Sequence, residues 1–197
     1  MYEAVNRRKS VRFTDRVLLS VNPVPPEKLQ TITEDFHNGI SVYSQEELVE
    51  IQMFIGAQSS LAKLREKNED LADFLQHLDN KMSLLLRQFQ SNKSPLDDLI
   101  MQKANLSADG IAYNSVTPAK IGDTLEIHIV FLPGYSYVYC FGKVVSCNTI
   151  AVDETENNNQ YKIALEYTLL MEDDREKIIQ HNFKQQNLAL RNRRLTS

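Results

Sequence analysis

Two periodicities divide the chain. Phe13 to Val21 (FTDRVLLSV) reads as a first strand, ended by the prolines of NPVPP at 22–26, because proline brings no N–H to a sheet. Leu29, Ile32 and Phe36 then fall at helical spacing, and Asn38-Gly39 closes the run with a helix-stop signal, predicting a short helix over 27–38 with one apolar face. Ser44 and Glu47 form a capping-box pattern that opens a far longer helical stretch, ending near Asn92 ahead of Ser94-Pro95. Within it Leu64, Leu71, Leu78 and Leu85 recur every seven residues. A second series, Phe54, Leu61, Asn68, Leu75, Met82 and Phe89, is offset by three or four. These are the d and a positions of a heptad repeat.

An unbroken helix over 44–92 would be about 70 Å long at ~1.5 Å per residue, too long for one copy to bury its seam on a small domain. The pattern predicts self-association through residues 44–92. A hairpin broken near Gly56 is the alternative. Asn68 at an a position reads as a buried amide that fixes register. Phe74 and Leu86, at g and e, widen the apolar face and favour three or four strands over two.

From Ile100 the period changes to two. Leu125, Ile127, Ile129 and Phe131 alternate with Glu126 and His128, and Tyr161, Ile163, Leu165 and Tyr167 alternate with Lys162, Ala164 and Glu166. SYVYCFGKVVSC (136–147) supplies a further strand. Pro118, Gly122-Asp123, Pro133-Gly134 and the polar run 154–160 mark turns. The fold class expected is α+β: a small antiparallel barrel or sandwich and a final helix from Glu172-Asp173-Asp174, its stripe of Ile178, Ile179 and Phe183 packed on the barrel. A basic, frayed tail follows over 186–197.

With 197 residues, 42% hydrophobic and 24% charged, the chain is an ordinary globular one, a single domain with an insertion. No apolar run reaches membrane-spanning length and no signal peptide precedes the charges of MYEAVNRRKSVRF, so no membrane insertion and a cytoplasmic location are expected. Cys140 and Cys147 read as reduced core thiols, and the scattered histidines and missing CxxC give a metal no ligand set. The net charge of −4 argues against bulk nucleic-acid binding. Its distribution says more: Arg7, Arg8, Lys9 and Arg12 crowd the first twelve residues, whereas 27–99 hold 13 acidic and 7 basic side chains. A basic arm on an acidic body suits a local anionic partner.

No nucleophile elbow, HExxH, P-loop lysine or GxGxxG occurs, so no enzyme is expected. His128, on a strand, reads as a surface or satisfied histidine. The acid pairs Asp97-Asp98 and Asp173-Asp174 read as caps or solvated faces. Two short patterns remain: Arg8-Lys9-Ser10-Val11-Arg12, an RxxxR before the first strand, and Asn105-Leu106-Ser107-Ala108-Asp109-Gly110, an NxSxxG between two β segments. Guanidinium groups fork onto phosphate oxygens or guanine edges. Asn105 and Ser107 alternate, so both can face one way, while Gly110 allows close backbone approach or an unusual turn. Taken separately, the patterns read first as a solvated arm and as turn chemistry.

Together, RRKSVRF, NLSADGIAY and YKIALEYTLLMEDDREKIIQHNF resemble the PilZ family, small β-barrel receptors for the bacterial second messenger cyclic di-GMP. The resemblance covers roughly 1–21 and 100–185, as a barrel with an N-terminal arginine arm and a C-terminal helix. Residues 22–99 depart from it and resemble a subgroup with an inserted heptad-bearing helix for oligomerisation. The resemblance implies cyclic di-GMP as ligand, with no cofactor. Arg8 and Arg12 would clamp phosphate and guanine, Arg7 would assist, and Asn105, Ser107 and Gly110 would meet a guanine edge. It also implies an effector protein that reads the bound state. The alternative is an oligomeric PilZ-like scaffold for type IV pilus or motility machinery that binds no nucleotide.

Overall fold

The computed structural model describes residues 12–39, 45–89, 98–150 and 160–195. The period-two segments form six strands: β1 (Phe13–Pro23), β2 (Ile100–Ser107), β3 (Gly110–Ser115), β4 (Thr124–Phe131), β5 (Ser136–Ile150) and β6 (Gln160–Leu170). They close into one antiparallel barrel in the order β1-β2-β3-β6-β5-β4. The alternation read from sequence sets the inside. Val17 and Leu19, Ala104 and Leu106, Ile127 and Ile129, Ile163 and Leu165 all point into a single core. β1 runs two residues beyond the expected Val21, because Asn22 and Pro23 still pair with Glu126 and Leu125 of β4. Proline is tolerated there at the end of the strand.

Four helices complete the described residues: α1 (Pro26–His37), α2 (Gln45–Arg65), α3 (Glu69–Phe89) and α4 (Glu172–Leu195). α1 matches expectation, with proline in its first turn and Gly39 beyond its end at φ +69°, a conformation that costs glycine nothing. Ser44 of the expected capping box lies outside the described residues.

The single long helix is not what forms. The chain turns at 66–68, and α2 and α3 pack on each other, Arg65 pairing with Asp73 at 2.8 Å. Asn68 does not sit in a seam. It caps α3, its side-chain oxygen accepting the Leu71 N–H at 3.1 Å. Basic Lys63 and Arg65 close α2, and acidic Glu69 and Asp70 open α3, each complementing the helix dipole. Gly56, the alternative break point, lies within α2. Ile51, Leu61 and Ala72 are buried, but Leu71, Phe74, Leu75, Leu78, Met82, Leu84 and Leu85 of α3 remain exposed. The heptad thus supplies a partly buried α2 and an uncovered apolar stripe on α3.

α4 plugs one end of the barrel. Ile178 is fully buried in the barrel core, Asn182 donates to the Leu106 carbonyl at 3.2 Å, and the His181 ring stacks on Phe131 at 4.2 Å. Phe183, expected to pack here, is instead exposed, because the docked face runs through 178, 181 and 182. The tail expected to fray from 186 continues α4 to Leu195. Cys140 is buried and Cys147 half-buried, both unbridged. His128 is buried rather than at the surface, with the Tyr137 hydroxyl 2.9 Å from its Nδ1. No described helix is long and apolar enough to cross a membrane.

Candidate functional site

The register of β1 against β2 brings the two sequence patterns together. Phe13 pairs with Leu106 and Thr14 with Asn105. Arg12, exposed and one step before Phe13, therefore stands at the end of this ladder, level with Ser107. Arg7 and Arg8 lie outside the described residues. Because Ala104 and Leu106 face the core, Asn105 faces outward, and its amide donates to Thr14 Oγ1 at 2.7 Å. That bond uses one of the amide's donors; one N–H and the oxygen remain for another partner.

Ser107 and Gly110 pair across a two-residue hairpin between β2 and β3. The buried Ser107 hydroxyl donates to the Gly110 carbonyl at 3.1 Å, so its proton serves the turn and only its lone pairs face other chemistry. Gly110 is explained by close approach. A Cβ there would lie 2.2 Å from the Leu165 carbonyl oxygen of β6. The turn is anchored from two sides: the Tyr167 N–H donates to the Asp109 carbonyl at 2.9 Å, and Arg175 of α4 donates to the Ala108 carbonyl at 2.7 Å. Thr14 and Arg175 carry no sequence signal of this role. Their contacts bridge 91 and 67 positions and depend on barrel register and on where α4 docks.

This chain is similar in fold to a solved PilZ domain. That structure is a pathogenic protein from Xanthomonas campestris, described as a tetrameric PilZ domain self-assembled via an unusual helical bundle. It aligns with a TM-score of 0.46 at 15% identity, over 92% of this chain and 89% of that one. The Bacillus subtilis inhibitor of motility, MotI/DgrA, aligns with a TM-score of 0.44 at 13% identity, over 92% of this chain and 52% of that one. The chain thus spans about half the length of the second protein. No family model matches the sequence, and no curated protein matches it.

Beside the Arg12–Asn105 corner, α4 is fastened to β1 through His181, whose Nε2 lies 3.0 Å from Asp15 Oδ2. Burial lowers the His181 pKa from its usual 6.5 and Lys184 adds to this, outweighing the Asp15 hydrogen bond and charge, which raise it. The folded protein then binds fewer protons here than the unfolded chain, so stability rises with pH across this window. Acidification through about 6.5 should lower the melting temperature, and His181→Gln should flatten that slope. Melting temperatures of both proteins between pH 7.5 and 5 decide it; identical slopes would show that His181 does not carry the effect. Glu126 acts in a separate, lower window. Burial alone would raise its pKa, but His128, the Tyr139 hydroxyl at 2.9 Å and Lys28 together lower it. Its contribution is complete above its usual 4.5 and is lost as pH falls through its lower folded value.

Among the described residues, no group of three or more histidine, cysteine or acidic side chains is placed to hold a metal ion. What the corner offers is an exposed guanidinium, a half-used amide and a rigid small-residue turn, the chemistry of anion and base recognition.

Proposed function

We propose that the protein is a non-catalytic cyclic di-GMP receptor, binding through Arg8, Arg12, Asn105, Ser107 and Gly110. One observation carries this reading: the β1–β2 register sets Arg12 at the same barrel corner as Asn105 and Ser107. A permanently charged fork then stands beside an amide able to pair with a guanine edge, which neither pattern provides alone. Gly110 acts through the backbone, keeping the turn tight against β6. Binding at the root of β1 would be felt by α4 through the Asp15–His181 and Arg175–Ala108 contacts, giving an effector protein a surface that differs between free and bound states.

Isothermal titration of the full chain with cyclic di-GMP, and with GTP as control, tests this. We expect saturable binding for the cyclic dinucleotide only. Arg12→Ala should weaken it about tenfold or more, as loss of a charge-assisted hydrogen bond implies. Asn105→Ala should weaken it by a smaller factor. Absence of heat, and of any ligand-induced rise in melting temperature, would refute the receptor.

A second reading, an oligomeric scaffold, is favoured by the uncovered apolar stripe of α3. The two are compatible if three or four copies associate through this stripe, each carrying its own site.

A further inference from the structure

The outer face of β1, β2, β3 and β6 carries an arrangement that the two sequence patterns leave unused. Arg16 pairs directly with Lys103, and Asn114 pairs with Lys162. Lys103 and Asn114 each lie one step beyond the core-facing pair Ala104–Tyr113, so all four residues share one level across four adjacent strands. All four are exposed. No carboxylate pairs with Arg16, Lys103 or Lys162 among the described residues. Like charges set opposite one another across a strand pair destabilise a sheet. The Arg16–Lys103 pair therefore carries an electrostatic cost that no carboxylate among the described residues relieves, and that an anion lying along the row would.

The level next to it is of a different kind. Thr14 pairs with Asn105, Asn105 with Ala112, and Ala112 with Ala164. Two alanines side by side on β3 and β6 leave a low floor about two strand spacings, or ~10 Å, across, on which a planar ring can lie flat. On the far side of this floor stand Arg12, Ser107 and Gly110. The cation row and Arg12 are four residues apart along β1, about 13 Å at the rise of a strand. Cations thus stand at opposite edges of the floor, the row at one edge and Arg12 at the β1 end of the other, whose β6 end is the exposed Glu166. An anionic ligand with flat bases fits the side nearer β1 and β2.

We propose that Arg16, Lys103 and Lys162 form a second phosphate-binding edge, so that the nucleotide lies across β1, β2, β3 and β6 between this row and Arg12. This rests on the receptor reading above and adds where the ligand's other phosphate goes. The row works by charge rather than by fixed geometry, because two of its three members are lysines on flexible stems.

The test is the triple variant R16Q/K103Q/K162Q in the full chain, titrated with cyclic di-GMP at low and at high salt. The changes are on exposed positions, and glutamine keeps most of the side-chain length. We expect affinity at low salt to fall at least tenfold and its salt dependence to flatten, because fewer exposed charge contacts remain to be screened. Without ligand the variant should melt at the same temperature as wild type or higher, since the like-charge row is gone. Wild-type binding with unchanged affinity and salt dependence in the variant would overturn the second edge and leave the receptor intact. A wild type that does not bind cyclic di-GMP would overturn the receptor reading and this one with it.

Discussion

Replacing Gly110 by alanine is expected to lower the stability of the protein by about 3 kcal/mol, near the upper end of what overpacking usually costs. For a chain of this length that is a fall in melting temperature of roughly 6–12 °C. The reason is local and severe. The added methyl would sit 2.2 Å from the Leu165 carbonyl oxygen and 3.3 Å from its carbon, and both belong to the backbone of the neighbouring strand. No side chain can rotate aside to make room. β3 must move off β6, and the Asp109 carbonyl must then move relative to the Tyr167 N–H that holds it. The same displacement would disturb the Ser107–Gly110 pair and with it the candidate site. Loss of ligand affinity in this variant would therefore report on the hairpin rather than on a ligand contact. Thermal or chemical denaturation of the variant without ligand is the decisive measurement. A change under 1 kcal/mol would mean that β3 and β6 can separate there freely.

The second large effect is expected on α3. We expect the wild type to self-associate through its apolar stripe, and Leu75→Glu with Leu78→Glu to give a 22.6 kDa monomer with the barrel still folded. Both positions are exposed within one chain, so the charges meet water in the monomer and a desolvated apolar surface only in an assembly. Seven large apolar side chains between 71 and 85 are uncovered, including Phe74 at 59% and Met82 at 62%. Contiguous apolar exposure on that scale is uncommon on a protein that works alone. Light scattering of wild type and variant, with circular dichroism to confirm the fold, separates the possibilities. A monomeric wild type would remove self-association through α3, and an oligomeric variant would place it elsewhere.

The barrel was legible because its signal is repeated: the segments of β4 and β6 alternate, glycine, proline or a polar run marks the turns, and the core-facing residues of those strands come out on one side without knowledge of the topology. The helical insertion was half legible. Its heptads continue in step across the turn at 66–68, so a periodicity count sees one helix where there are two. The contrary signal lay in charge, with Lys63, Arg65 and Lys67 followed at once by Asn68-Glu69-Asp70, a helix end against a helix start. Asn68 has two readings, buried amide or cap, and the neighbouring acids favour the cap.

For the candidate site, the residues that announce themselves by spacing were found, and those joined to them by register were not. Thr14 touches Asn105, and Arg175 holds the turn at Ala108, through contacts that a linear pattern does not encode. The pairing of Arg16 with Lys103 is of the same kind, since each is an unremarkable surface cation until β1 is laid against β2. Ser107 and Gly110 were identified by pattern, but their local duties, a hydroxyl tied to a hairpin and a glycine under a carbonyl, belong to the fold whatever else they do.

β1 has an unusual place in the order of assembly. Leu19 pairs with Ile100 on one side and with Ile129 on the other, partners 81 and 110 positions away, whereas β2 and β3 meet through a two-residue turn. Loop-closure entropy grows by about 0.6 kcal/mol for each doubling of length, so each of β1's ladders starts some 2–3 kcal/mol behind a hairpin. Topologies dominated by such distant pairings also fold slowly. The other five strands come from one continuous stretch of chain, and β1 is the stave that completes the cask. A ligand held jointly by Arg12 on β1 and Asn105 on β2 would then act as a clasp across the most entropically costly seam of the barrel, slowing its reopening as well as occupying a site.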